Sequence, residues 1–118
     1  MNGKYSKEFI TVLSNRLNEH CRDKVDRTFS KSLARRRSHG EKLDYTDLDR
    51  ETLKTLCVYE LCPDGLIAAL FNMDIDVVKA LRDLYGYTDE TIPQRYTAYI
   101  TGKLAREIEE EMGEAAYN

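Results

Sequence analysis

Apolar residues recur along this chain at helical rather than strand spacing. Phe9, Leu13, Leu17, Cys21, Val25, Phe29 and Leu33 follow one another every four residues, and Ser6 is placed to cap the start of the run. An α-helix repeats every ~3.6 residues, so each four-residue step drifts by about 40° and one straight helix cannot keep this stripe on one side. The pattern therefore predicts a break near Asp26 to Thr28, with Thr28 capping a second helix that runs through Arg37. Ser38 to Asp44 reads as a loop around Gly40, and Thr46 with Asp49 three residues later as a capping box for a helix carrying Leu53, Leu56, Cys57 and Leu61. Pro63 and Asp64 stop that helix and open another. Ile67, Ala68, Leu70 and Phe71 mark one short apolar stretch, Val77, Val78, Leu81 and Leu84 mark the next, and Gly86 is its C-terminal stop. Pro93 opens a last helix bearing Tyr96, Ile100, Leu104, Ile108 and Met112, with Gly102 weakening its middle. Tyr96 to Thr101 is rich in β-favouring residues but has no second strand to pair with, so a helix is predicted there too. The acidic end from Glu107 to Glu114 is expected to fray.

The expected fold class is all-α: a single domain, 1–118, of about five to six helices. It comprises a basic helical segment (1–42), a central core (46–87) and a C-terminal helix with an acidic end (92–118). A length of 118 residues with 42% hydrophobic and 33% charged residues suits one soluble core. No apolar run approaches the roughly 18 residues of a membrane span, and Met1 to Glu8 is polar with no apolar segment behind it, which reads as cytoplasmic with no membrane partner.

Charge is more informative than composition. The net charge of -3 conceals a division: residues 1–42 hold 11 Lys and Arg against five Asp and Glu, whereas residues 43–118 hold seven against 16. Such asymmetry points to a nucleic-acid or acidic-protein partner for the basic part, or to two oppositely charged parts that pair internally.

Residues 53–87, LKTLCVYELCPDGLIAALFNMDIDVVKALRDLYGY, resemble the helix-turn-helix superfamily, in particular the trihelical form of sigma-factor region 4, resolvase-type domains and phage regulators. The resemblance rests on Ile67 and Ala68, then Phe71, Asn72 and Met73, then Val78 and Leu81, and covers about a third of the chain. It implies that Ala68 is the small residue where two helices cross, and that Phe71, Met73, Val78 and Leu81 seal the pair against the helix from Leu53 to Leu61. It also implies that Asn72 takes the left-handed turn position usually held by Gly. The surface facing DNA would carry Asp74, Ile75, Asp76, Lys79, Ala80 and Asp83. Three of those six are acidic, and carboxylates facing a phosphate-lined groove are repelled. Asp76 has a second role, because an acid near a helix N-terminus is favoured by the dipole.

Lys79 and Arg82 remain as groove contacts. Arg35, Arg36 and Arg37, with His39, Lys42, Lys24, Arg27 and Lys31 nearby, form a basic cluster suited to anchoring phosphates without reading sequence. Its alternatives are a solvated helix end and a docking surface for the acidic C-terminal helix of a neighbouring subunit.

Other chemistry is sparse. Cys21, Cys57 and Cys62 have no CxxC spacing and are odd in number, so buried reduced thiols are expected in preference to a zinc site built from His20, Cys21 and a later Cys. No phosphate loop, dinucleotide fingerprint or nucleophile elbow occurs, and neither His20 nor His39 sits in a catalytic pattern. The chain is read as a non-enzyme without cofactor or metal. The run Glu109 to Glu111 reads as an exposed helix face. Of the eight Tyr, Tyr85, Tyr87, Tyr96 and Tyr99 cluster around the Gly86 to Pro93 connection, where they serve packing or an interface.

Two functions follow. The first is a small helix-turn-helix regulator of transcription or of a mobile element, a homodimer on double-stranded DNA, contacting it through Lys79, Arg82, Arg35, Arg36 and Arg37, with the four-spaced stripes of the first and last helices as dimer seams. The second is a protein-interaction module that keeps the trihelical core and presents Asp74, Asp76 and Asp83 to a basic partner, as an anti-activator, an inhibitor of a nucleic-acid enzyme or a DNA mimic would.

Overall fold

The computed structural model describes residues 4–20 and 24–118, and among these it is all-α. Cys21, and with it any zinc site that uses it, lies outside the described residues. The chain divides into two compact units, Met1–Lys24 with Thr97–Asn118, and Val25–Tyr96. No helix among the described residues is long and apolar enough to cross a membrane.

In the first unit, α1 spans Lys7–Glu19. Ser6 caps it as expected, its Oγ accepting from the Phe9 amide at 3.1 Å. The remainder of this unit comes from α6 (Ile92–Met112) from Thr97 onward, helical through Gly102, and the 3-10 turn Gly113–Ala116 that follows it. The two four-spaced stripes meet each other here. Phe9, Ile108 and Ala116 are buried, with Leu13, Ala105 and Met112 packed around them, so these parts of the two stripes cover each other within the unit. The acidic end does not fray. Arg16 forms a two-pronged ion pair with Glu111 (2.6 and 2.7 Å), and the Glu109 carboxylate accepts from the hydroxyls of Tyr5 (3.0 Å) and Tyr117 (2.5 Å). Tyr5 stacks between Phe9 and Tyr117, and the Ser6 amide donates to the Ala116 carbonyl at 2.8 Å, so the two chain ends clasp. Glu109 is thus a clasp residue as well as a member of an acidic run.

The second unit begins with α2 (Thr28–Ser38). The break between the first two helices is longer than the spacing suggested, because α1 already ends at Glu19. Nor does Thr28 cap α2. Asp26 accepts from the Thr28 amide (2.9 Å), and the carboxylate of the buried Glu60 accepts from the Phe29 (2.9 Å) and Ser30 (2.8 Å) amides. A side chain thirty positions away therefore satisfies the exposed donors of the first turn. The capping box also shifts: Asp44 and Asp47 form it around the short turn Tyr45–Asp47, and Asp49 caps α3 (Arg50–Lys54) by accepting from the Thr52 amide at 2.8 Å.

α3 runs on into π-helical turns, Thr55–Tyr59, which end with the Glu60 amide donating to the Thr55 carbonyl and the Cys62 amide to that of Leu56. Leu61, expected on the helix, lies beyond it in the left-handed region at φ 51°. Pro63 then leads into α4 (Asp64–Leu70), and Asn72, at φ 52°, turns the chain into α5 (Ile75–Tyr85), which Gly86 ends at φ 78°. Leu53, Leu56, Val58, Ile67, Phe71 and Val78 are almost wholly buried around Ala68, each contributing roughly 1.5–3 kcal/mol of transfer free energy.

Candidate functional site

α5 is short, and its two sides differ in kind. At about 100° per residue, Val78 and Tyr85 face inward with Leu81 beside them, while Asp76, Ala80 and Asp83 point the opposite way and Val77 and Leu84 flank them. Val78 is buried. Val77 and Leu84, read from the sequence as core positions, are instead 44% and 74% exposed, because the core side of so short a helix is filled by Val78, Leu81 and Tyr85. Ile75, beside Gly65 at the start of the helix, and Leu66 on α4 are exposed as well. Asp74 precedes α5 without capping it through its side chain, and Asp74, Asp76 and Asp83 are all exposed.

Arg82 sits on neither of these sides in the way its sequence position suggested. Its Nη1 donates to both carboxylate oxygens of Asp64 (2.7 and 2.8 Å), Nη2 to Asp89 (2.6 Å) and Nε to the Tyr87 carbonyl (2.9 Å). The Arg82 and Asp64 side chains are 12% and 14% exposed. This guanidinium ties the start of α4 and the turn after Gly86 to the end of α5, and all of its donor faces are engaged within the chain. A surface depression of about 340 Å³ beside it is lined by Asp64, Lys79, Arg82, Asp83, Thr88, Asp89 and Glu90, with carboxylates outnumbering cations.

The arginine run is divided in the same manner. Arg37 Nη1 donates to the Ala69 (2.5 Å) and Leu70 (2.7 Å) carbonyls, completing the last turn of α4, where a cation also complements the dipole. Arg36 pairs with Glu41 through Nε at 2.6 Å. Arg35 and Lys79 are exposed. Of the five cations read as DNA contacts, Arg82 and Arg37 are therefore engaged inside the fold and Arg36 is held in a surface ion pair, whereas the three acids of the competing reading all face solvent.

Sequence reasoning missed Glu60 entirely. Its only signal was a lone acid between apolar neighbours at a helix end, since its partners, the amides of Phe29 and Ser30, are backbone groups that no side-chain pattern records. Cys57 and Cys62 are buried and reduced; burial pushes the Cys57 thiol up to about 11 and raises that of Cys62. Among the described residues, no three His, Cys, Asp or Glu side chains are grouped to hold a metal ion. Tyr87 is buried with Arg95 over its ring, and Tyr85 is half-buried beside it. Comparison with protein-family models, curated proteins and solved structures finds no match to this chain.

Proposed function

We propose that this chain is a protein-interaction module: a helix-turn-helix-like core, α3 to α5, whose second helix docks a partner segment that is basic and has an apolar face. The observation that carries this reading is the outer side of α5, where exposed Val77 and Leu84 form an apolar strip bordered along one edge by exposed Asp76 and Asp83, with exposed Asp74 just before the helix. Protein interfaces combine an apolar centre with a polar rim, and an acidic rim selects against acidic partners while speeding encounter with basic ones. The same surface suits a DNA groove poorly. Phosphates repel its carboxylates, and Leu84 gains little from a hydrated groove. Of the two cations on α5, Arg82 is held by Asp64 and Asp89, which leaves Lys79 exposed.

Photo-cross-linking from a benzophenone side chain at position 80 tests the proposal. The expected product joins Ala80's position to a Lys- and Arg-rich protein segment, and Leu84→Glu or Asp76→Lys with Asp83→Lys abolishes it. A cross-link to nucleic acid alone, or one that survives both variants, contradicts the proposal. The regulator on double-stranded DNA is the second reading, and it draws on the exposure of Lys79 and Arg35.

A further inference from the structure

Three cations of the second unit are held by tyrosine rings. The guanidinium carbon of Arg50 lies 5.7 Å from the centre of the Tyr85 ring, and its Nε donates to the Tyr87 hydroxyl at 3.3 Å. The guanidinium carbon of Arg95 lies 5.4 Å from the centre of the Tyr87 ring, and the Lys54 ammonium 5.6 Å from that of Tyr59. The Tyr85 and Tyr87 rings, 6.1 Å apart, join the Arg50 and Arg95 contacts. Arg50 and Lys54 are four residues apart on one helical run and share a side of it. Among the described residues none of the three cations forms an ion pair, unlike Arg16, Arg36 and Arg82.

Helix stability accounts for Lys54, in the last turn of α3 and three residues after Glu51, but not for the two arginines. Arg50 opens α3 and Arg95 lies in the first turn of α6, where the dipole disfavours positive charge, and like charges four apart on a helix repel. What the rings do provide is restraint: a long cationic side chain laid on an aromatic face loses rotamer freedom before any ligand arrives, which lowers the cost of capturing an anion. We propose that Arg50, Lys54 and Arg95 form a docking surface for the phosphodiester backbone of a nucleic acid, read without regard to sequence. Guanidinium forks match phosphate oxygens, and cations spread over separate rings suit a polymer of repeating charge better than one small anion. An acidic peptide fits less well. None of the exposed large apolar side chains of this unit, Tyr45, Leu66, Ile75, Val77 and Leu84, belongs to the patch, so a peptide would find no apolar anchor there. Tyr85 also lies roughly opposite Asp76 and Asp83 around α5, about 160–180° away, so a backbone on the patch avoids those acids. This surface is independent of the protein-docking face, and the two together describe a bridge between a nucleic acid and a basic protein.

The test is fluorescence anisotropy of the full chain with labelled DNA of two unrelated mixed sequences across a salt series, alongside poly-glutamate as an acidic polypeptide. Binding of equal strength to both DNA sequences is expected, with a logarithmic salt slope that falls by about 0.9 for each cation removed. Arg95→Gln alone and Arg50→Gln with Lys54→Gln should each weaken binding several-fold on both sequences, whereas Arg50→Lys should retain most of it and Asp76→Asn with Asp83→Asn should not weaken it. Circular dichroism establishes that each variant is folded, and Arg95, exposed at the start of α6, carries the test if the α3 pair does not fold. Absence of DNA binding at low salt, variants with unchanged affinity and slope, or tighter binding of poly-glutamate through the same residues overturns the proposal. None of these outcomes depends on whether α5 docks a protein.

Discussion

Arg82→Gln separates a structural guanidinium from a DNA contact. The substitution removes two hydrogen bonds to Asp64, one to Asp89 and one to the Tyr87 carbonyl. Hydrogen bonds to charged groups contribute about 1.5–3 kcal/mol, and leaving one charge of a fully buried pair without its partner costs about 3–5 kcal/mol. The Asp64 side chain retains 14% exposure, so water partly relieves it; Asp89, at 93%, adds under about 1 kcal/mol. The net loss should be about 2–3 kcal/mol, a fall in Tm of roughly 8–15 °C for a chain of this size. Thermal melts followed by far-UV circular dichroism measure it directly. Asp89→Asn should cost little, and adding Asp64→Asn to Arg82→Gln should recover about 1 kcal/mol, because the stranded carboxylate is then gone. An Arg82→Gln protein that melts within about 2 °C of the parent refutes the structural assignment and returns Arg82 to the candidate phosphate contacts.

Three further outcomes follow from other parts of the fold. Glu60→Ala strands the Phe29 and Ser30 amides and should lower stability by about 2–4 kcal/mol in urea unfolding, with Glu60→Gln, which keeps an acceptor, costing less. Hydrogen bonds from Tyr117 and Tyr5 hold the Glu109 carboxyl below its ordinary value, and the same bonds, with burial, raise both phenols above 10. The clasp between the chain ends should therefore be intact from above the ordinary carboxylate range up to the ordinary phenol range. It should weaken as pH falls through the depressed Glu109 value and again as pH rises through the raised phenol values, with phenolate absorbance appearing later than in a Glu109→Gln variant. In a Cys21→Ser background, Cys57, raised to about 11 chiefly by burial, should resist iodoacetamide near neutral pH until the chain unfolds.

The order of the helices was legible in the sequence because it rests on local signals. Ser6 as a cap, Pro63 before α4, Asn72 in the left-handed turn and Gly86 as a stop all act within a few residues of themselves. Ala68 is buried where the resemblance places a small residue. Misplaced features have one cause in common, which is that a distant or a competing partner decides them. Asp49 and Thr46 fit a box pattern, but Asp44 and Asp47 form a better one two residues earlier and leave Asp49 to cap α3. Leu61 reads as a helix position, yet the run ends in π-helical turns at Tyr59 and Leu61 falls beyond it in the left-handed region.

The candidate site was legible in composition and not in availability. Asp74, Asp76 and Asp83 were visible as an objection to DNA binding, and all three are exposed. That Arg82 is engaged depends on Asp64, eighteen residues away, and on the Gly86 turn that brings Asp89 back. That Arg37 is engaged depends on carbonyls at the end of α4, which no sequence pattern marks. The Arg50 contacts escaped for a similar reason, since Arg50 reaches Tyr85 and Tyr87 only through the packing of α3 near the end of α5, whereas Lys54 meets Tyr59 within its own helical run.

Whether the outer side of α5 is covered by protein can be read from one thiol. In the Leu84→Cys variant the introduced group stands on that side, apart from the buried Cys57 and Cys62. Its rate of maleimide labelling is measured in the purified chain and in an extract of the cells that make it, before and after nuclease digestion, with Arg35→Cys as the exposed reference. The account predicts rapid labelling when purified, protection in the extract that persists after digestion, and loss of that protection when Asp76→Lys and Asp83→Lys are added. Equal labelling in both settings, or protection that nuclease removes, contradicts it.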